Sequence, residues 1–247
     1  MLNKIATLAL LGLVAVASAV TYTLTLETNP AGLLTPPTGA GDYEEGTYAD
    51  ISTVSRNSLG DGYVYVFTDW STEVMSEITD PYALATTVLM DATKTVTANH
   101  QKMEEIYTAK SQGYWKNRDG QMELTLDDAT YLNTLTPWLD YFNTTDLNEF
   151  KRQVKTYLTP KPKDPMQKKL GMQLLTAILN DLHNYLDPTR EVWYDADMDG
   201  VYDAGENLLI SDIITGAINA WSSGIDQAYY KDLLDMINNN MLLYIVY

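Results

Sequence analysis

The apolar pattern changes period once along this chain, near residue 100, and that change limits the fold more than any other feature. Upstream it alternates. Thr21, Tyr22, Thr23, Leu24, Thr25 and Leu26 are β-formers with period two, and Thr47 to Val54 and Tyr63 to Trp70 read as a second and a third strand. Ala85 to Met90 and Lys94 to Ala98 are predicted to pair as a hairpin around Asp91-Ala92-Thr93. Asn29-Pro30-Ala31-Gly32 reads as a turn, and Pro36, Pro37, Gly39 and Gly41 as a loop. Gln101 to Lys110, without Gly or Pro, reads as a short tether or an early helix.

Downstream the spacing is helical. Asp146 with Glu149 three residues on gives helix-start chemistry, with Phe150, Val154, Tyr157 and Leu158 on one face. Asp164-Pro165 opens a longer helix, as a cap followed by Pro in the first turn. Its stripe is Met166, Leu170, Leu174, Leu175, Ile178, Leu179, Leu182 and Leu186, and Asp187-Pro188 stops it. Leu208 to Trp221 and Ala228 to Asn238 are further helices, and Thr125 to Phe142 is a helix broken at Pro137. The class is therefore α+β. A small antiparallel β sandwich or open barrel over residues 20–100 precedes a mostly helical domain over 101–247.

Composition sets the surroundings. Thirty-three acidic residues against 16 basic ones give a net charge of -17, which argues against nucleic acid as a partner, since phosphate binding needs clustered Lys and Arg. There is no cysteine and there are only two histidines, which removes thiol catalysis, disulfide staples and most zinc chemistry. Lys4, the apolar run Ile5 to Ala17, and Ala17-Ser18-Ala19 read as a secretory signal over residues 1–19, cleaved after Ala19. The run is shorter than the roughly 20 residues that span a bilayer, so no stable membrane span is expected after its removal. A retained helix, as in type IV pilins, is the competing case, but the acidic residue expected early in it is absent.

The segment with definite chemistry is residues 195–206, which carry EF-hand calcium-loop spacing. Asp195, Asp197 and Asp199 occupy positions one, three and five, and Gly200 stands at six, where the chain must turn. Val201 at seven offers its carbonyl, Asp203 stands at nine, and Glu206 at twelve offers both carboxylate oxygens. Calcium takes about six to eight hard oxygens, and a cation relieves the mutual repulsion of these five carboxylates. The segment before the loop, Glu191 to Tyr194, is extended rather than helical, and the chain leaves into the helix expected at Leu208. Dockerins and calcium-bearing modules of surface adhesins are similar in this relaxed arrangement. With a single loop, a structural clamp tying the long helix to the last two is favoured over a regulatory sensor.

Two further resemblances rest on separated motifs. Tyr22-Thr23-Leu24-Thr25-Leu26, Asn29-Pro30-Ala31-Gly32, Gly39 to Thr47, Phe67-Thr68-Asp69-Trp70-Ser71 and Met90 to Asn99 together resemble the divergent bacterial repeat related to the internalin B-repeat. That resemblance covers about residues 20–100 and implies an extracellular β module, a spacer or adhesive unit without catalysis. Ser111-Gln112-Gly113-Tyr114-Trp115-Lys116-Asn117 looks like the signature that opens a helical region in many secreted bacterial and archaeal proteins. Physically it reads as a dock, with Trp115 and Tyr114 under the helices and Gly113 allowing close backbone approach. An aromatic pair that binds a ligand is the alternative.

The expected protein is thus not an enzyme. It is a structural or adhesive protein of the cell surface or extracellular space, a filament subunit among the possibilities, stabilised by Ca2+. Its partners are copies of itself, or surface protein or glycan. The alternative is a calcium-dependent module that docks a protein partner or glycan, and a secreted hydrolase is the third hypothesis. The apolar end, Met241 to Tyr247, either packs as the last core element or inserts into a neighbouring subunit's sheet. Asn143-Thr144-Thr145 is a glycosylation sequon.

Overall fold

The computed structural model describes residues 19–247, so the expected leader falls, but for Ala19, outside the described residues. The first part of the chain is built from β1 (Thr21–Asn29), β2 (Gly41–Glu44), β3 (Thr47–Ser52), β4 (Arg56–Asn57), β5 (Val64–Ser71), β6 (Ala85–Met90) and β7 (Lys94–Glu105). Helices follow: α1 (Gln112–Lys116), α2 (Arg118–Glu123), α3 (Leu126–Leu132), α4 (Leu147–Tyr157) and α5 (Met166–Leu182). The chain ends with β8 (Glu191–Trp193), β9 (Asn207–Leu209), α6 (Ile210–Ser223), α7 (Gln227–Asn238) and β10 (Leu243–Ile245). The class is α+β, with an open sheet and, among the described residues, no closed barrel.

The long strand β7 organises the sheet. Along one edge it runs parallel to β1, from Leu24↔Lys94 to Asn29↔Asn99. Where β1 stops, β10 takes over that side in antiparallel fashion, from Ile245↔Met103 to Leu243↔Glu105. Along the other edge β7 pairs antiparallel with β5. β10 continues to β8, and β8 to β9. A second sheet, β3 paired with β6, stacks on this one. Ala49, Ile51, Val88 and Met90 of the small sheet pack on Leu24, Phe67, Trp70, Val96 and Ala98 of the large one, which explains the period-two pattern.

Four expectations need correction here. The β1–β7 pairing is parallel, so the sheet is mixed rather than antiparallel. β6 and β7 do not form a hairpin: at Asp91–Thr93 the chain crosses between the two sheets, because Val88 and Val96 enter one core from opposite layers. Lys94 holds that crossing, its ammonium bonded to the Glu77 carboxylate, to Asp91 at 2.8 Å and to the Leu89 carbonyl at 2.6 Å. Gln101 to Glu105 is strand, not tether or helix, so the boundary expected at 100/101 falls inside β7, and three later strands join the same sheet. Partners on both edges, not the polar local sequence, keep this stretch extended.

The helical half is centred on α5. Leu170 to Asn180 is buried without interruption, so α5 is enclosed by its neighbours rather than amphipathic. Its polar residues pair internally: Asn180 donates to Asn238 at 3.1 Å, Asn238 to the Gln173 carbonyl at 3.0 Å, and Gln173 to Asp235 at 2.8 Å. Asp146 caps α4 as expected, accepting from the Asn148 and Glu149 amides. Asp164 does not cap α5; it accepts instead from the Lys161 amide at 2.6 Å, and Pro165 stands at the cap position. α5 ends at Leu182, before Asp187-Pro188. The Thr125–Phe142 stretch is α3, capped by Thr125, and then a 3-10 turn containing Pro137.

The Ser111–Asn117 signature forms α1, capped by the Ser111 hydroxyl. Trp115 is fully buried, and its indole N–H donates to Asn180 at 3.1 Å. The close-approach glycine is Gly120 rather than Gly113. A Cβ at Gly120 would lie 2.6 Å from the Tyr114 carbonyl oxygen and 2.7 Å from the Trp115 Cα, whereas at Gly113 it would meet only the Ser111 hydroxyl at 3.4 Å. Gly120→Ala is expected to destabilise the fold by about 1–3 kcal/mol and Gly113→Ala by less. Chemical denaturation of the two variants, compared at equal slope, checks the order.

Candidate metal centre

β8 and β9 form a short antiparallel pair, with Glu191↔Leu209 and Trp193↔Asn207 in register. They present residues 194–206 as the loop between them, closed at its base by the Tyr194 amide on the Glu206 carbonyl at 3.0 Å. The extended entry matches expectation. The exit is a strand, β9, and α6 begins only at Ile210.

Asp195, Asp197 and Asp199 each place a carboxylate oxygen within 4.8 Å of the others. Asp197 and Asp199 are exposed and Asp195 is half-buried. Backbone amides hold the ring in shape: Gly200 donates to Asp195 at 3.1 Å, Val201 to Asp199 at 2.7 Å, and Asp199 to Asp197 at 3.3 Å. Gly200 has φ +79°, the left-handed conformation the turn requires. Asp195 Oδ1 is buried with no hydrogen-bond partner. An unpaired buried carboxylate oxygen is costly, and the three aspartates together could hold a cation.

The remaining expected ligands lie outside this group of three. Asp203 is half-buried, and burial first, then Asp199, Glu206, Asp197 and Asp195, pushes its carboxyl above the usual range. Burial likewise raises Asp195, opposed by its backbone donors and reinforced by Glu206 and Asp199. Glu206 accepts from the Ala196 amide on Oε1 at 2.9 Å, and on Oε2 from the Trp193 indole at 2.8 Å and the Asp203 amide at 3.3 Å. With about two lone pairs per oxygen, those bonds leave Glu206 one position on Oε1, so in this geometry it reaches a cation through one oxygen rather than two.

Val201 shows what the sequence did not disclose. Its side chain is buried in the core of the β half, in the same cluster as Phe67, Trp70 and Leu24. The Tyr202 amide donates to the Phe67 carbonyl at 2.8 Å, and the Ser55 hydroxyl donates to the Gly200 carbonyl. The loop thus docks on β5 and the residue before β4. The clamp between the long helix and the last two helices, expected from sequence, is not where the loop makes these contacts. Its buried valine was the available signal; no local pattern named Ser55 or Phe67 as its partners.

The two histidines lie elsewhere. His183 Nε2 sits 3.1 Å from Asp128, and its ring lies 5.0 Å from the Trp115 ring at a tilt of 48°, so it is packed against the dock. Burial lowers the pKa of His100. A cavity of about 420 Å³ opens where sheet and helices meet, lined by Glu104, Asp181, Tyr185, Asp187, Arg190 and Tyr244. Arg190 already pairs with Glu104 at 2.7 Å and lies 3.9 Å over the Tyr244 ring. No helix among the described residues is long and apolar enough to cross a membrane. No protein-family model, curated protein or solved structure matches the chain.

Proposed function

We propose that this is an exported structural or adhesive protein of the cell surface, stabilised by calcium held at Asp195, Asp197 and Asp199 with help from Asp203, Glu206 and the Val201 carbonyl. The observations that carry this reading are the EF-hand spacing, the carboxylate oxygens of Asp195, Asp197 and Asp199 lying within 4.8 Å of one another, and the buried Asp195 Oδ1 that has no hydrogen-bond partner. Extracellular calcium is plentiful enough to load even a site in the 10⁻⁴–10⁻³ M class. With no cysteine to cross-link it, a chain outside the cell gains from a metal staple. The resemblances to an extracellular repeat and to a signature of secreted proteins support the same setting.

Size-exclusion chromatography and negative-stain microscopy, each with calcium and with chelator, test the assembly part. Calcium-dependent oligomers or filaments support it, and a monomer under both conditions removes the filament reading. Strand donation from either end has to release an inner strand, since β1 lies between β2 and β7, and β10 between β7 and β8. Deleting residues 243–247 is therefore expected to lower the melting temperature of the monomer itself, not only to prevent assembly. A deletion variant that melts with the full chain would show that β10 adds nothing to the monomer.

A second reading, calcium-dependent docking of a protein or glycan, is favoured by a cavity of about 200 Å³ beside the loop. Arg56, Trp193, Asp195, Met198, Met236 and Met241 help to line it. A glycan array with and without calcium, and a pull-down, probe this reading; binding lost in chelator would favour it over pure scaffolding.

A further inference from the structure

Resting on the reading of residues 195–206 as a calcium site, we infer that the β half is a working part of that site: Ser55 and the Phe67 carbonyl position the loop for metal, and metal in turn latches the β half to the helical half. One short turn, Gly200-Val201-Tyr202, carries both tasks. Toward the carboxylates, its Gly200 and Val201 amides bind Asp195 and Asp199. Toward the sheet, its Gly200 carbonyl accepts from Ser55, its Val201 side chain fills the β core, and its Tyr202 amide bonds to Phe67. Gly200 is confined on the sheet side: a Cβ there would lie 2.7 Å from the Ser55 hydroxyl oxygen.

The backbone that gathers the aspartates is therefore the backbone that fits the sheet. Phe67 is tied to the same neighbourhood through both its polar backbone groups, its amide donating to the Ser55 carbonyl at 2.9 Å while its carbonyl accepts from Tyr202. Two events that select one conformation of a shared segment are coupled, and equilibrium coupling is reciprocal. Docking of the sheet raises metal affinity by the same factor by which metal tightens docking. Ser55 and Val201 are positioning residues in this scheme: the Ser55 side chain and the Val201 side chain act on the carboxylates only through the turn.

Calcium titration of the full chain and of Ser55→Ala, Ser55→Thr, Val201→Ala and Val201→Ile tests this. Terbium serves as a second probe, its emission sensitised by Trp193 beside Glu206. Amide hydrogen exchange of residues 55–71 is followed in calcium and in chelator. The alanine variants are expected to bind calcium roughly fivefold or more weakly, with Ser55→Thr and Val201→Ile restoring most of the affinity. Exchange of residues 55–71 is expected to be faster in chelator, while α5 changes much less. Ser55→Ala removes one hydroxyl, so it keeps the test valid if Val201→Ala fails to fold. Wild-type affinity in the folded alanine variants, or exchange of residues 55–71 indifferent to calcium, overturns the latch while leaving the metal site standing. Absence of calcium binding by the wild-type chain overturns both.

Discussion

Calcium at about 10 mM is expected to raise the melting temperature of this protein by roughly 5–11 °C over the same sample in chelator. A site at the tight end of the extracellular class, with Kd near 10⁻⁴ M, is then in about hundredfold excess of ligand, which stabilises the folded state by about 2.7 kcal/mol. For a chain of this length each kcal/mol moves the transition by roughly 2–4 °C. The direction follows from charge. Without metal, folding gathers Asp195, Asp197 and Asp199 within 4.8 Å of one another and buries an unpaired oxygen; with metal, the same oxygens become ligands. Asp195→Asn combined with Asp199→Asn is expected to abolish the calcium increment and to leave the chelator melting temperature unchanged or higher, because repulsion is reduced. Differential scanning calorimetry with metal analysis decides the matter: identical transitions in calcium and chelator, with no bound metal, would remove the staple.

Trp115→Ala is expected to cost about 3–5 kcal/mol, the range for deleting a large buried aromatic ring. Roughly 6–20 °C in melting temperature follows. Trp115 has no exposed surface and packs against Tyr114, Tyr185 and His183. Its N–H shares the Asn180 oxygen with the Lys110 amide, so it ties the start of the helical half to the buried middle of α5. Trp115→Phe retains most of the ring and loses the hydrogen bond, for about 1–3 kcal/mol. Thermal denaturation of both variants orders them. A Trp115→Ala protein that melts with the wild type would turn the Ser111–Asn117 signature from a structural dock into a candidate binding pair.

The legible parts of the fold were those settled by local chemistry. Period two in Thr21–Leu26 and the Asp146 cap depend on neighbours within a few residues, and both were readable, whereas the helix expected over Thr125–Phe142 already ends at Leu132, upstream of Pro137. The illegible parts depend on distant partners. Gln101 to Glu105 carries one buried apolar residue, Met103, and is a strand because β5 and β10 occupy its two edges. Asp164 has the sequence of a cap, but its carboxylate is taken by Lys161. Gly120 gives no sign in the sequence that the α1 backbone will pass against it.

The loop over residues 195–206 divides in the same way. The chain alone determined which oxygens are available at residues 195–206, since the spacing of aspartates and glycine is a property of twelve consecutive residues. Only the tertiary structure decided which of those oxygens converge, that Glu206 is largely occupied by N–H donors, and that Val201 reaches into the β core. The physical reason is range. Ligand type and turn geometry are fixed by covalent neighbours, whereas the convergence of charges and the docking of a side chain depend on segments some 130 to 145 residues away, Phe67 and Ser55 among them.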